Sequence, residues 1–229
     1  MISLFRLPQI LRSLIRINDL MKLPFGVLFH PAETFRLLKL YRNKFSYLPV
    51  IIILFLIIVV RVAYIYIVHF PLAAIEPVDA NILLEIVRFL VPILTWVIAS
   101  YAVTAILGGE ALMREILLAA AYSVVPYILT MIPIALFSLV LSQHEAGIYN
   151  FLISAVWVWI GLLFFISVRT LHGYTIGKTI WIIILILITM FLIWAVLILT
   201  YALAGNLRAF LVGFIRELWM QLFRSGGRI

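Results

Sequence analysis

The stretch YLPVIIILFLIIVVRVAYIYIVHF, residues 47–70, is apolar at almost every position, with Arg61 its one full charge, and four comparable runs follow it. A helix of about 20 such residues crosses a hydrocarbon layer about 30 Å thick. In lipid a backbone amide has no water to bond, so each run must satisfy its own N–H and C=O groups by crossing as a helix. The expected fold is therefore an all-α polytopic transmembrane helix bundle. Composition agrees: 66% of the residues are hydrophobic and 11% charged, against about a quarter charged in soluble domains.

The runs place the spans at about Tyr47–Phe70, Val87–Leu107, Met113–Leu141, Phe151–Leu171 and Thr179–Ala204. Residues 1–44 form a basic amphipathic segment, 45–204 the five-span domain and 205–229 an amphipathic tail. Within the first segment Ile10, Leu11, Leu14, Ile15 and Ile17 recur at helical spacing while Arg12, Arg16 and Asp19 supply polar positions, as in a helix lying in the headgroup layer. Arg6, Pro8, Arg12 and Arg16 interrupt any signal-peptide core, so the segment is expected to be retained. Pro31 and Glu33 suit the first turn of a short surface helix running to about Tyr41. The tail reads as a second interfacial helix.

Eight Lys or Arg precede the first span, and none occurs in the loop after it until Arg88. This bias predicts a cytoplasmic N-terminus. Five spans then carry the tail outside, although Arg208, Arg216, Arg224 and Arg228 favour the inside. The net charge of +8 fits an anionic lipid surface better than nucleic acid, because the cations gather near the two ends of the chain.

No chemistry-bearing motif stands out. The chain has no cysteine, its four histidines are scattered, and neither an HExxH pair nor a G-x-S-x-G, Walker A or G-x-G-x-x-G pattern occurs. No catalytic, cofactor-binding or metal-ligating residue is expected, and the protein is not expected to be an enzyme.

Four stretches resemble the Yip family of five-span membrane proteins, especially its bacterial branch. They are LPFGVLFHPAETFRLLK, LGGEALMREILLAAAYSVVPYIL, VWIGLLFFISVRTLHGYTIGKT and the five-span spacing itself, together covering about residues 23–204. The resemblance implies a multi-pass protein of the bacterial cytoplasmic membrane with a non-enzymatic accessory or scaffold role. It also implies other membrane proteins as partners, with subunits of an ABC-type transporter as one such class.

Two groups of residues are candidates for that role. The turns GGEALMRE and RTLHGYTIGK should share the cytoplasmic side and supply a partner-docking patch of Gly108, Gly109, Glu110, Arg114, Glu115, His172, Tyr174 and Lys178. Glu110 and Arg114, four apart, are expected to pair along one helical face, leaving Glu115 for Arg169 or Lys178. Arg61 is the one charge deep within a predicted span, with Thr95 or Tyr101 on the second span as expected contacts. Pro126 and Pro133 are expected to bend the third span, either to fit its neighbours or as a hinge. The expected lack of a carboxylate within the spans disfavours ion-driven transport. A small-solute path around Arg61 and the prolines, or membrane shaping by the amphipathic ends, is the alternative to a scaffold.

Overall fold

The computed structural model describes residues 26–40, 47–69, 72, 78 and 80–225. Among them, after helical residues 26–29, seven further α-helices follow one another: α1 (Pro31–Leu40), α2 (Leu48–Ile67), α3 (Ile82–Ile106), α4 (Met113–Ser123), α5 (Val125–Ser138), α6 (Ala146–His172) and α7 (Ile176–Ser225). No strand is present among the described residues. Five helical stretches are long and apolar enough to cross a membrane, with α4 and α5 together forming the third. The amphipathic helix expected over residues 1–20 lies outside the described residues.

The helices form where lipid leaves no other backbone solution, even in the β-branched run of α2, whose residues are poor helix formers in water. Val50, Ile53, Ile57 and Val60 of α2 repeat at helical spacing and form its buried stripe. At the start of α3 the Asn81 side chain accepts from the Leu84 N–H at 3.2 Å. That cap begins the second span at Ile82, ahead of the expected start near Val87, and so brings Glu85 into the helix. The fourth span also begins early, at Ala146, after a 3₁₀ turn over Gln143–Glu145.

The third span is divided. α4 ends at Ser123 and α5 begins at Val125, with Pro126 in its first turn, where the missing N–H costs little. Pro133 sits inside α5. Nearby hydroxyls turn inward on the backbone: Ser123 donates to the Ala119 carbonyl at 2.8 Å and Thr130 to the Pro126 carbonyl at 2.7 Å. The α4–α5 pair is the centre of the bundle, because α2 and α6 pack against both halves and α1 and α3 pack against α4. Ala119, Ala120 and Ala121 are fully or almost fully buried there. Small side chains let backbones approach closely, which is how helices associate in lipid.

The chain divides into two compact units, one ending at Ile186 and the other starting at Leu187. The first holds α1 to α6 and the start of α7, in which Thr179, Ile182 and Ile186 are buried. The second consists, among its described residues, of the helical stretch from Leu187 to Ser225. Its large apolar side chains, such as Phe191, Leu192, Leu199 and Phe210, are exposed.

Candidate functional site: a polar platform and an intramembrane charge cluster

Two left-handed glycines place the first group of candidate residues. Gly108 (φ 73°) turns the chain out of α3, and Gly173 (φ 66°) turns it out of α6. The next residue, Gly109, bonds back to the Thr104 carbonyl at 2.7 Å. It lies so close to α6 that a Cβ there would stand 2.6 Å from His172 Nδ1 and 2.8 Å from Thr104 Cβ. The Ala111 N–H points at the same His172 Nδ1 over 3.5 Å. The turns GGEALMRE and RTLHGYTIGK thus meet, and α1, packed on α4 and α6, adjoins them.

Around this contact the charges are arranged differently from expectation. Glu110 precedes α4 and cannot share its face with Arg114; it pairs instead with Lys39 of α1 at 2.5 Å. The hydrogen bond and the charge of Lys39 hold the Glu110 carboxyl below its ordinary range. Arg114 lies 5.0 Å from the Tyr47 ring centroid, a cation–π contact. Glu115 does not reach across to Arg169 or Lys178. It is 1% exposed and accepts from the Leu112 N–H at 2.9 Å, which caps the start of α4. His172 stacks on Tyr174 with ring centroids 5.1 Å apart, and Lys178 Nζ lies 4.2 Å from the Tyr174 ring centroid. Burial, then the facing Glu110, pushes the Tyr174 phenol above its ordinary range, so it keeps its proton.

The second group lies at the opposite end of the bundle, where α2 leads into α3. Arg61 donates through Nε to Glu85 Oε2 at 2.8 Å, and Arg88 donates to Glu85 Oε1 at 2.7 Å. The Glu85 carboxylate is 3% exposed and so is shared between two guanidinium groups. Arg61 also lies over the rings of Tyr64 and Phe89, at 5.5 and 5.6 Å. Phe89 in turn packs on Tyr127 of α5 and Trp157 of α6, and the Tyr64 hydroxyl bonds that of Tyr149. This cluster joins α2, α3, α5 and α6.

Two sequence expectations fail at this point. Arg61 takes Glu85, rather than Thr95 or Tyr101, as its partner: the Thr95 hydroxyl bonds the Val91 carbonyl at 2.8 Å and Tyr101 is exposed. An acidic side chain is therefore buried within a span. Glu85 stands three residues before Arg88, in what read as a loop, and only the earlier start of α3 turns it toward Arg61. The prolines do not join the charge cluster, although Tyr127 follows Pro126 directly. Lys39 was missed as well, because a separation of 71 positions from Glu110 leaves no local pattern. No group of three His, Asp or Glu that could hold a metal ion occurs among the described residues.

The model of the Yip1 domain matches residues 25–198, most of the chain, including both clusters. The chain belongs to the Yip1 domain family. Neither a curated protein nor a solved structure shows a significant match to it. As a Yip1 protein with five apolar helices it is a multi-pass membrane protein whose spans contact lipid. The family points to a non-catalytic role. In this Yip1 chain the matched region ends at residue 198, so it takes in the first part of α7.

Proposed function

We propose that this Yip1 protein is a non-enzymatic accessory or scaffold of a larger assembly in the bacterial cytoplasmic membrane, docking a membrane-protein partner on its polar platform. A transporter of the ABC type is the partner class we favour, with the platform on the cytoplasmic side and the basic N-terminal segment on anionic lipid. One observation carries the reading: two turns distant in sequence lock together through Gly109 and His172, and α1 joins them through the Lys39–Glu110 pair. They leave Glu110, Arg169 and Lys178 exposed on a rigid base. Charged groups held in fixed positions on a rigid support suit recognition of a complementary surface.

The charge cluster supports the same choice over a permeation path. Glu85 is held by two arginines instead of standing free to carry a proton, and the cleft beside it, lined by Ile58, Arg61, Val62, Ile86 and Phe89, is too narrow for a water molecule. The test is capture of the full chain from mild detergent with a tag. A stoichiometric membrane partner is expected, lost on Glu110→Lys or Lys178→Glu; recovery of the chain alone, from cells and with either variant, would overturn the proposal.

A further inference from the structure

The turn HGYTIGKT, residues 172–179, collects more hydrogen-bond donors than it has acceptors. Helix α7 starts here, with Thr179 N–H bonding the Thr175 carbonyl at 2.9 Å as its first helical bond. The N–H groups of Ile176, Gly177 and Lys178 therefore have no acceptor within the helix, and they carry the positive end of its dipole. Beside them His172 is 5% exposed, and its Nε2 is buried without a partner. Because Nδ1 faces the Ala111 N–H, it is the acceptor and Nε2 carries the proton. Tyr174 is 8% exposed and its hydroxyl is likewise buried without a partner. Lys178 adds an ammonium 4.2 Å from the Tyr174 ring centroid. Buried polar groups are almost always paired, so two orphans side by side at a helix start call for an acceptor.

The acceptor's chemistry follows from the donors. They come from a backbone helix end, an imidazole, a phenol and an ammonium, more donor groups than a carboxylate has oxygens. A tetrahedral oxyanion serves such a set better than a flat carboxylate does, and helix N-termini are common phosphate sites. A Cβ at Gly177 would meet nothing within 4 Å, so there is room against the backbone. Gly173, Gly177, Lys178 and Thr179 are one residue short of the nucleotide-binding loop spacing, follow a helix rather than a strand, and spend the Thr179 hydroxyl on the Thr175 carbonyl at 2.8 Å. That argues against a nucleotide and for a single phosphate group. The acidic side chain facing both rings, Glu110, is held by Lys39.

We propose that the start of α7 binds a phosphate group, carried by a phospholipid headgroup or free in solution, through His172 Nε2, the Tyr174 hydroxyl, Lys178 and the first N–H groups of α7. Both orphaned atoms are sealed from the surroundings, so the group enters by displacing the Tyr174 ring. The proposal uses the same end of the bundle as the docking platform but requires no protein partner.

The test uses the full chain in phosphate-free detergent and in nanodiscs. Inorganic phosphate should raise the thermal unfolding midpoint in a saturable way, or phosphatidic acid in phosphatidylcholine nanodiscs should be retained on the protein in native mass spectrometry. The first outcome marks a free phosphate, the second a headgroup. Either effect should weaken at least tenfold in Tyr174→Phe, which removes one oxygen, and in Lys178→Ala, which shortens an exposed side chain. Should Tyr174→Phe fail to fold, Lys178→Ala decides. Equal response to phosphate and chloride together with equal retention of phosphatidic acid and phosphatidylcholine would overturn the proposal, as would wild-type binding in Lys178→Ala. Glu110→Lys should abolish partner capture while leaving phosphate binding in place, so the two proposals fail separately.

Discussion

The third span and the fifth span use the same solvent in opposite ways. Across α4 and α5, 67% of the most apolar window is buried inside the protein, whereas in α7 the figure is 11%. Yet the third span is the least hydrophobic of the five and the fifth the most. In water that order would be reversed. In lipid, apolar surface gains nothing by leaving the tails, so the centre of the bundle goes to the helix that packs most closely. Ala119, Ala120, Ala121 and Ala135 supply close approach, and Ser123, Thr130 and Ser138 bond their own backbone. Residues 180–199 of the fifth span are instead mostly Ile, Leu, Val and Trp, with Ala195 their one Ala or Gly.

The largest way to break that contrast is to remove the polar anchor that ties the first span to the second. Replacing Glu85 by Leu leaves the partly buried Arg61 without its counter-charge, and a loss of about 3 kcal/mol is expected, as for other broken buried pairs. Arg61→Leu in the same chain should restore most of it. Unfolding in a denaturing detergent series measures both, and a single variant as stable as the double would contradict the ion-pair account.

Next in size is packing itself. Ala121→Leu forces a larger side chain into a fully buried position and should cost about 1–3 kcal/mol. The reverse change on the fifth span, Leu192→Ala at a 60% exposed position, should stay within about 0.5 kcal/mol. Equal effects at the two sites would remove the contrast. Gly109→Ala belongs between them, because the added methyl meets His172 and Thr104. We expect a loss of about 1 kcal/mol, the lower end of overpacking costs, since the imidazole can yield. Altered NMR signals from His172 in that variant would localise the strain.

The smallest effect is the pH dependence of the Lys39–Glu110 pair. Because the folded Glu110 carboxyl is held below its ordinary value of 4.5, the pair stabilises the fold fully above that value. The contribution disappears as pH falls through the lowered folded value. The difference in thermal midpoint between wild type and Lys39→Gln should therefore vanish on acidification. A difference that persists undiminished however far the pH is lowered would show that Lys39 acts through something other than Glu110.

Fold class was legible from the runs of apolar residues, since the cost of an unpaired amide in lipid is local and each run must meet it alone. The short helix beginning at Pro31 and the glycine turn at residues 108–109 were legible for the same reason, because caps and left-handed glycines act over a few residues. What the candidate residues contact was not. Glu110 and Arg114 satisfy a helical spacing rule, but α4 starts after Glu110, so the rule does not apply to them. Arg61 announced itself as a buried charge without naming Glu85, since a carboxylate reads as loop until the helix start is known.

The amino-acid sequence by itself determined that this chain crosses a bilayer as helices, how many times, and where glycine and proline interrupt it; each follows from backbone hydrogen bonding within one segment. Only the tertiary structure decided which span is central, that Glu85 is shared by Arg61 and Arg88, and that His172 meets Gly109. Those pairings join segments far apart in the chain, and lipid, indifferent to apolar surface, leaves them to the shape and polarity of the particular side chains that meet.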